Sequence, residues 1–262
     1  MSGAREVPFR GGGFAPRNLP LAGTATLLGA IALWQAGASA GLIPTLFLPA
    51  PANIAVALYQ LTISGELWKH LSASLARLAV GWTIGTVFGI GMGLAVGLWS
   101  AMRSPGMAIV SALFPIPKIA LVPLFIIWFG IGEGSKIITL AFGVFFPTVI
   151  ATAGGVDNVP RSLIRMGQSF GLSHWAIVRK VVLPAALPAI LNSFRVTTSI
   201  AIVLLVAAEM IGADRGIGAF VLSAGNLYDT DNLLAGIVVL SVLGLAVSWL
   251  IGLAERLLLA WR

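Results

Sequence analysis

Cysteine is absent from all 262 residues, which excludes a disulfide framework and any thiolate-bound metal. Charge is scarce as well: Asp, Glu, Lys and Arg make up 10% of the chain against 58% hydrophobic residues, and the mean hydropathy is +0.99. A soluble domain of this length has no use for so much apolar surface, so the composition implies a polytopic membrane protein. The only histidines, His70 and His174, lie outside the hydrophobic runs. No metal or Ser-His constellation is therefore available inside the membrane, which argues against an intramembrane enzyme. No G-x-x-x-x-G-K-[ST] run is present to cradle phosphates, and GEGSK at 132–136 lacks the spacing, so nothing here hydrolyses ATP. An ion-driven secondary carrier would need intramembrane acids or paired broken helices in two homologous halves. No such repeat is visible, and Glu209 is the only clear acid within a span.

The chain is instead rich in long apolar runs and in glycine, with 31 residues of the latter, which suits close helix packing in lipid. Residues 1–20 hold Arg5, Arg10, Arg17 and a Gly11-Gly12-Gly13 run, and read as a disordered cytosolic tail. Residues 21–262 read as one transmembrane domain. Ala38-Ser39-Ala40 imitates a secretory cleavage site, but the apolar stretch continues to Ile43 and more spans follow, so an uncleaved first helix is expected. Residues 45–65 fit an interfacial helix on the outer face. Further spans are expected at about 71–99, 105–131, 136–156, 187–211 and 233–254, with a polar outer segment at 212–232.

The expected fold is an all-α membrane protein of about six transmembrane helices with both termini cytoplasmic. That orientation puts Arg103, Arg161, Arg165, Arg179, Lys180 and Arg256 in the cytosol and Glu66, Glu133, Asp214, Asp229 and Asp231 outside. The net charge of +7 thus reports topology rather than a nucleic-acid partner.

Three features of the spans stand out. Gly81, Gly85, Gly89, Gly93 and Gly97 recur every four residues and lay a smooth groove along one helix face. The neighbour that fits it is either a helix of the same chain or a second copy. Pro115 and Pro117 interrupt the third span beside Lys118; freed backbone groups are tolerated there only against protein or a water-lined cavity, so this region is a candidate lining of a substrate pathway. Ser193 and Thr197 could add hydroxyl donors, although hydrogen bonding between helices is their commoner use. Glu209, near the outer face, either pairs with a basic residue as an outer gate or is an interfacial acid held by helix ends. Arg77 and Arg195 lie close enough to a membrane face to snorkel, and anchoring is the expected role of both.

Residues 161–188, RSLIRMGQSFGLSHWAIVRKVVLPAALP, cannot sit in lipid. Helical spacing to Phe170, a turn at Gly171 and an N-cap at Ser173 predict two short helices, the second stopped by Pro184. Trp175, Val178 and Val182 are expected to share one apolar face with a basic rim off it, an elbow able to fit a groove on a cytosolic partner. Gly171, then nine residues, Val181, one residue and Leu183-Pro184 resemble the G-x9-I-x-L-P core of the cytoplasmic coupling loop of ABC importer permeases. Arg165-Met166-Gly167 stands where that family usually has Glu-Ala-Ala. Leu48-Pro49-Ala50-Pro51, Gly65-Glu66-Leu67-Trp68, Ile127-Trp128-Phe129-Gly130-Ile131-Gly132, Ala207-Ala208-Glu209-Met210 and Thr230-Asp231 are similar to segments of the nitrate, sulfonate, taurine and bicarbonate import permeases.

The resemblance implies a type I importer fold and alternating access in a bacterial cytoplasmic membrane. It implies a homodimer of permeases, two copies of an ATPase that carries the ATP and Mg, and a periplasmic or lipid-anchored substrate-binding protein. The coupling loop, about 157–186, would contact the ATPase through Arg165, Phe170, Gly171, Leu172, Ser173, His174, Trp175, Val181, Leu183 and Pro184. A cationic Lys118 on the pathway would suit a small anion such as a sulfonate, taurine or nitrate; relatives that carry pyrimidine vitamin precursors or aromatic acids look alike.

Overall fold

The structure, a computed structural model, describes residues 20–259, so the expected tail with its arginines and Arg262 lie outside the described residues. The regular elements in this range are helices: α1 (Pro20–Ser39), α2 (Pro51–Ile63), α3 (Glu66–Leu98), α4 (Ser100–Leu113), α5 (Val122–Phe129), α6 (Glu133–Asp157), α7 (Arg161–Ser169), α8 (His174–Ile177), α9 (Leu183–Gly212), α10 (Ile217–Asn226) and α11 (Thr230–Leu258). Five are long and apolar enough to cross a membrane, and α4 with the segment Lys118–Phe129 makes a sixth if the bent pair counts as one span.

The centre of the bundle is built from α3, α6, α9 and α11, whose Leu78, Leu140, Val144, Leu204, Leu205 and Leu243 form one buried cluster. The glycine groove of α3 decides how tightly this centre closes. Gly81, Gly85, Gly89, Gly93 and Gly97 face Leu140, Val144, Thr148, Thr152 and Val156 of α6, a second row with the same four-residue spacing. A Cβ on Gly93 would lie 2.5 Å from Thr152 Cβ, and one on Gly85 would lie 2.5 Å from the Ala141 carbonyl oxygen. The row of one helix therefore fills the groove of the other, ridge into groove, with both helices running in the same direction. The groove is occupied by a helix of this chain.

Other elements pack around that pair. Helix α4 reaches α6 through Val110, Phe146 and Val149. The short helix α2 seats Ile54, Ala57 and Leu61 against Ala235 of α11, with Trp34 of α1 beside them. The third expected span is not one helix from Pro105: α4 starts at Ser100 and keeps Pro105 inside it. It stops at Leu113, and the chain turns by 87° into a short 3-10 turn and α5. Pro115 and Pro117 lack the amide donors that a continuing helix needs. The outer segment 212–232, expected as polar connection, contains the apolar helix α10, which packs on α9 and α11. Pro184 does not end a helix either. A π turn over Val178–Val182 precedes it, Pro184 falls in the first turn of α9, and the apolar helix continues to Gly212. Helix α8, the π turn and α9 run on as one helix from His174 to Gly212, and the wider π turn, in which the Leu183 N–H reaches back to Val178 O, gives way where the proline lacks its own N–H.

Candidate functional site

Two polar constructions stand at opposite ends of the helix bundle. At the end expected to be cytosolic, α7 ends in Gly171, whose φ of 71° is the left-handed conformation that favours glycine. The Gly171 N–H donates to Gln168 O at 2.9 Å and the Leu172 N–H to Gly167 O at 3.0 Å, closing the turn. Ser173 caps α8 by accepting from Ala176 N–H at 3.3 Å. Gly167 is buried, and a Cβ there would come 3.3 Å from Ile177, so the small residue lets α7 and α8 close on each other.

The elbow is fastened from beneath. Ile164, Leu172, Ile177 and Val182 pack with Leu98, Val156 and Val159 at the inner ends of α3 and α6. Beside this cluster Arg103 holds both oxygens of Asp157 at 2.7 Å, joining α4 to the end of α6. The opposite face is open: Phe170 is 78% exposed and Trp175 64% exposed, and Met166, Arg161, Arg165, Arg179 and Lys180 of the same segment are exposed as well. Trp175 is thus not on one face with Val178 and Val182, which are buried, and stacks edge-on against Trp99 instead. Gly171, Ser173, His174 and Pro184 are exposed, while Leu172, Val181 and Leu183 are half-buried.

On the outer side a buried charge cluster joins four helices. The Glu209 side chain at the end of α9 belongs to a residue only 1% exposed, and Arg77 of α3 is 5% exposed. Arg77 Nη1 donates to Glu209 Oε1 at 2.7 Å and to the Arg215 carbonyl at 2.5 Å. Its Nε and Nη2 grip both oxygens of Glu133, the first residue of α6, at 2.6 and 2.7 Å. Ser74 Oγ donates to Glu209 at 2.8 Å and accepts from Ile217 N–H at 2.9 Å, and Gly218 N–H donates to Glu209 Oε2 at 2.9 Å. The Glu209 carboxylate therefore meets a guanidinium, a hydroxyl and the N-terminus of α10, each favourable to negative charge. A cavity of about 790 Å³ opens beside this cluster, lined by Arg77, Glu133, Lys136, Glu209, Asp214 and Arg215 among others.

Arg77 consequently does not snorkel: its guanidinium is held inside the protein. The signal was in the spacing, because Arg77 extends the four-residue row of Gly81 to Gly97 by one turn and so points at α6 rather than at lipid. Arg195 is half in solvent and pairs with Glu255 of α11 at 2.8 Å. The remaining pathway candidates do not gather at one place. Lys118 bonds the Phe114 carbonyl and lies over the Phe114 and Phe146 rings, with Pro115 and Pro117 exposed at the break. Ser193 donates to Ile190 O at 2.6 Å, and Thr197 accepts from Trp82 Nε1 at 3.2 Å. Along α9, Ser193 and Glu209 are separated by roughly 24 Å at the helical rise.

The chain matches the family model described as binding-protein-dependent transport system inner membrane component over residues 85–259. It is 38% identical to the taurine transport system permease protein TauC of Escherichia coli strain K12, covering 90% of this chain and 88% of that protein. It is 35% identical to a putative aliphatic sulfonates transport permease protein SsuC of Bacillus subtilis strain 168, covering 88% and 84%. Identity to the riboflavin transport system permease protein RibX of Chloroflexus aurantiacus is 32%, covering 90% and 88%. Among solved structures, the inward-facing MetNI methionine ABC transporter superposes with a TM-score of 0.61 at 25% identity, over 72% of this chain and 93% of that one.

Proposed function

Because the chain belongs to the family of binding-protein-dependent transport inner membrane components, and so is the non-enzymatic membrane subunit of an ATP-driven importer, we propose that its cargo is a small sulfonate and that it works as a homodimer. The ATPase is a separate subunit, and the protein is a multi-pass inner membrane protein of the type I permease fold. The bacterial cytoplasmic membrane is its proposed location.

The observation that carries the coupling mechanism is the two-sided elbow. One face is welded to α3 and α6 through Ile164, Ile177 and Val182, and the other presents Phe170 and Trp175 to the cytosol. Exposed aromatics in a basic rim are costly on a free surface and suit a partner's groove. An ATPase that seats on Phe170, Gly171, Ser173, His174 and Trp175 and moves with its nucleotide would drag the inner ends of α3 and α6. Gly171 sets the angle of the elbow, and the half-buried Val181 and Leu183 lead the displacement into α9. In this reading Lys118 lies on the route of the cargo at the helix break, and Glu209 belongs to the outer gate.

The cargo assignment is supported by the taurine and aliphatic sulfonate relatives. The test is uptake by proteoliposomes that hold the permease and its ATPase, supplied with the binding protein. Labelled taurine or ethanesulfonate should accumulate only with ATP inside the cytosolic compartment. Accumulation of riboflavin alone, the solute of another relative, would overturn the sulfonate reading, and uptake without ATP would overturn the coupling.

A further inference from the structure

The outer cavity has a feature that the cluster around Arg77 does not absorb. Lys136, in the first turn of α6, is 5% exposed, yet among the described residues its ammonium makes a single hydrogen bond, to Gly132 O at 3.0 Å, with Glu133 Oε1 at a long 4.0 Å. An ammonium has three donors, so a buried one is left with donors to spend at the wall of a cavity. The same wall holds the start of α6, where Gly132 provides no side-chain cap, so the first N–H groups also favour an anion.

The lining as a whole is balanced. Arg77, Lys136 and Arg215 face Glu133, Glu209 and Asp214. Glu133 and Glu209 are both spent on Arg77, whereas Asp214 is exposed and makes no ion pair among the described residues. A simple anion would find one matching end in such a cavity. A zwitterion would find two. The volume of about 790 Å³ falls within the range of roughly 300–1,000 Å³ usual for small-molecule sites.

Resting on the sulfonate-importer reading, we propose that this cavity receives an aminosulfonate as a zwitterion, with Lys136 and the α6 N-terminus on the sulfonate and Asp214 on the ammonium. A sulfonate remains ionised and offers three acceptor oxygens, which match the unspent Lys136 donors. Asp214 then separates amino-substituted cargo from plain alkanesulfonates.

The test is calorimetric titration of the permease–ATPase complex in nanodiscs, with no binding protein, using 2-aminoethanesulfonate, ethanesulfonate and ethylamine. The parent should bind the aminosulfonate best and ethylamine least. Lys136→Gln should weaken both sulfonates roughly 10- to 100-fold, as expected for one charged hydrogen bond. Asp214→Asn should bring the aminosulfonate down to the level of ethanesulfonate and leave the latter unchanged. Should Lys136→Gln fail to assemble, Ser223→Phe, which fills the cavity from the exposed side of α10, should abolish binding of both. No binding by the parent, or the same binding by these variants, would overturn the site. If that occurs while vesicles still import sulfonate, the proposed function stands without it. If the cavity binds sulfonate but vesicles import none, the site stands and the function does not.

Discussion

Replacing Arg77 by methionine should destabilise the protein far more than neutralising its partner. In Arg77→Met the Glu209 carboxylate, 1% exposed, keeps Ser74 and Gly218 as donors but loses its ion pair. Stranding a buried charge in this way costs about 3–5 kcal/mol. Glu133 adds little to that cost, because its side chain is 61% exposed and water replaces the guanidinium. In Glu209→Gln, by contrast, Arg77 keeps its two-pronged grip on Glu133 and its bond to the Arg215 carbonyl, and the amide retains the shape of the acid. The expected cost is about 1–3 kcal/mol, that of one degraded hydrogen bond. Thermal unfolding of the purified protein in one detergent, followed by tryptophan fluorescence, should then show a Tm loss of roughly 6–20 °C for Arg77→Met. The loss should be clearly smaller for Glu209→Gln. The double variant Arg77→Met with Glu209→Met removes both charges and should recover part of the single loss. Equal losses in the two single variants, or no recovery in the double one relative to Arg77→Met, would refute the claim that Arg77 and Glu209 compensate each other inside the protein.

Three further outcomes follow from the same structure. Gly93→Val would force a Cβ to within 2.5 Å of Thr152 Cβ, against ordinary carbon contacts of about 3.5–4.0 Å, so α3 and α6 must part by about 1 Å at a cost of about 1–3 kcal/mol. Gly91→Val, where nothing lies within 4 Å, should unfold at the parent temperature, and equal losses at both would sink the groove argument. Gly171→Val meets no neighbour within 4 Å but is strained by the φ of 71°, so the variant should insert normally while the ATPase subunit hydrolyses ATP without matching uptake; Asn, which tolerates that conformation, should retain more transport, and full uptake by the valine variant would count against the coupling role. Lys118→Ala should raise the KM for sulfonate uptake if the cation meets the cargo, whereas an unchanged KM would leave Lys118 as the partner of the Phe114 carbonyl alone.

The class of protein, most of its long apolar helices and the two short helices joined at Gly171 were legible in the residues because each depends on local facts. A run of apolar side chains long enough for a bilayer and a glycine that ends a helix need no knowledge of the fold. The four-residue glycine row likewise announced a close neighbour. Its identity was not local, since α6 enters only when the third span has bent by 87° and brought the chain back to the outer face.

The fate of the charges was decided by tertiary structure in the same way. Read alone, Arg77 is a cation within reach of a membrane face, and snorkelling is its cheapest solution. Once α3 and α6 lie in ridge-and-groove contact, that route is closed, and the ends of α6 and α9 supply two carboxylates instead. Lys136 is buried at the same end of α6. Sequence by itself determined which segments enter the membrane and which stay out, because hydration of each segment is settled residue by residue. Only the packed bundle decided which buried charges meet, because pairing depends on helix ends that lie 132 and 56 positions from Arg77 along the chain.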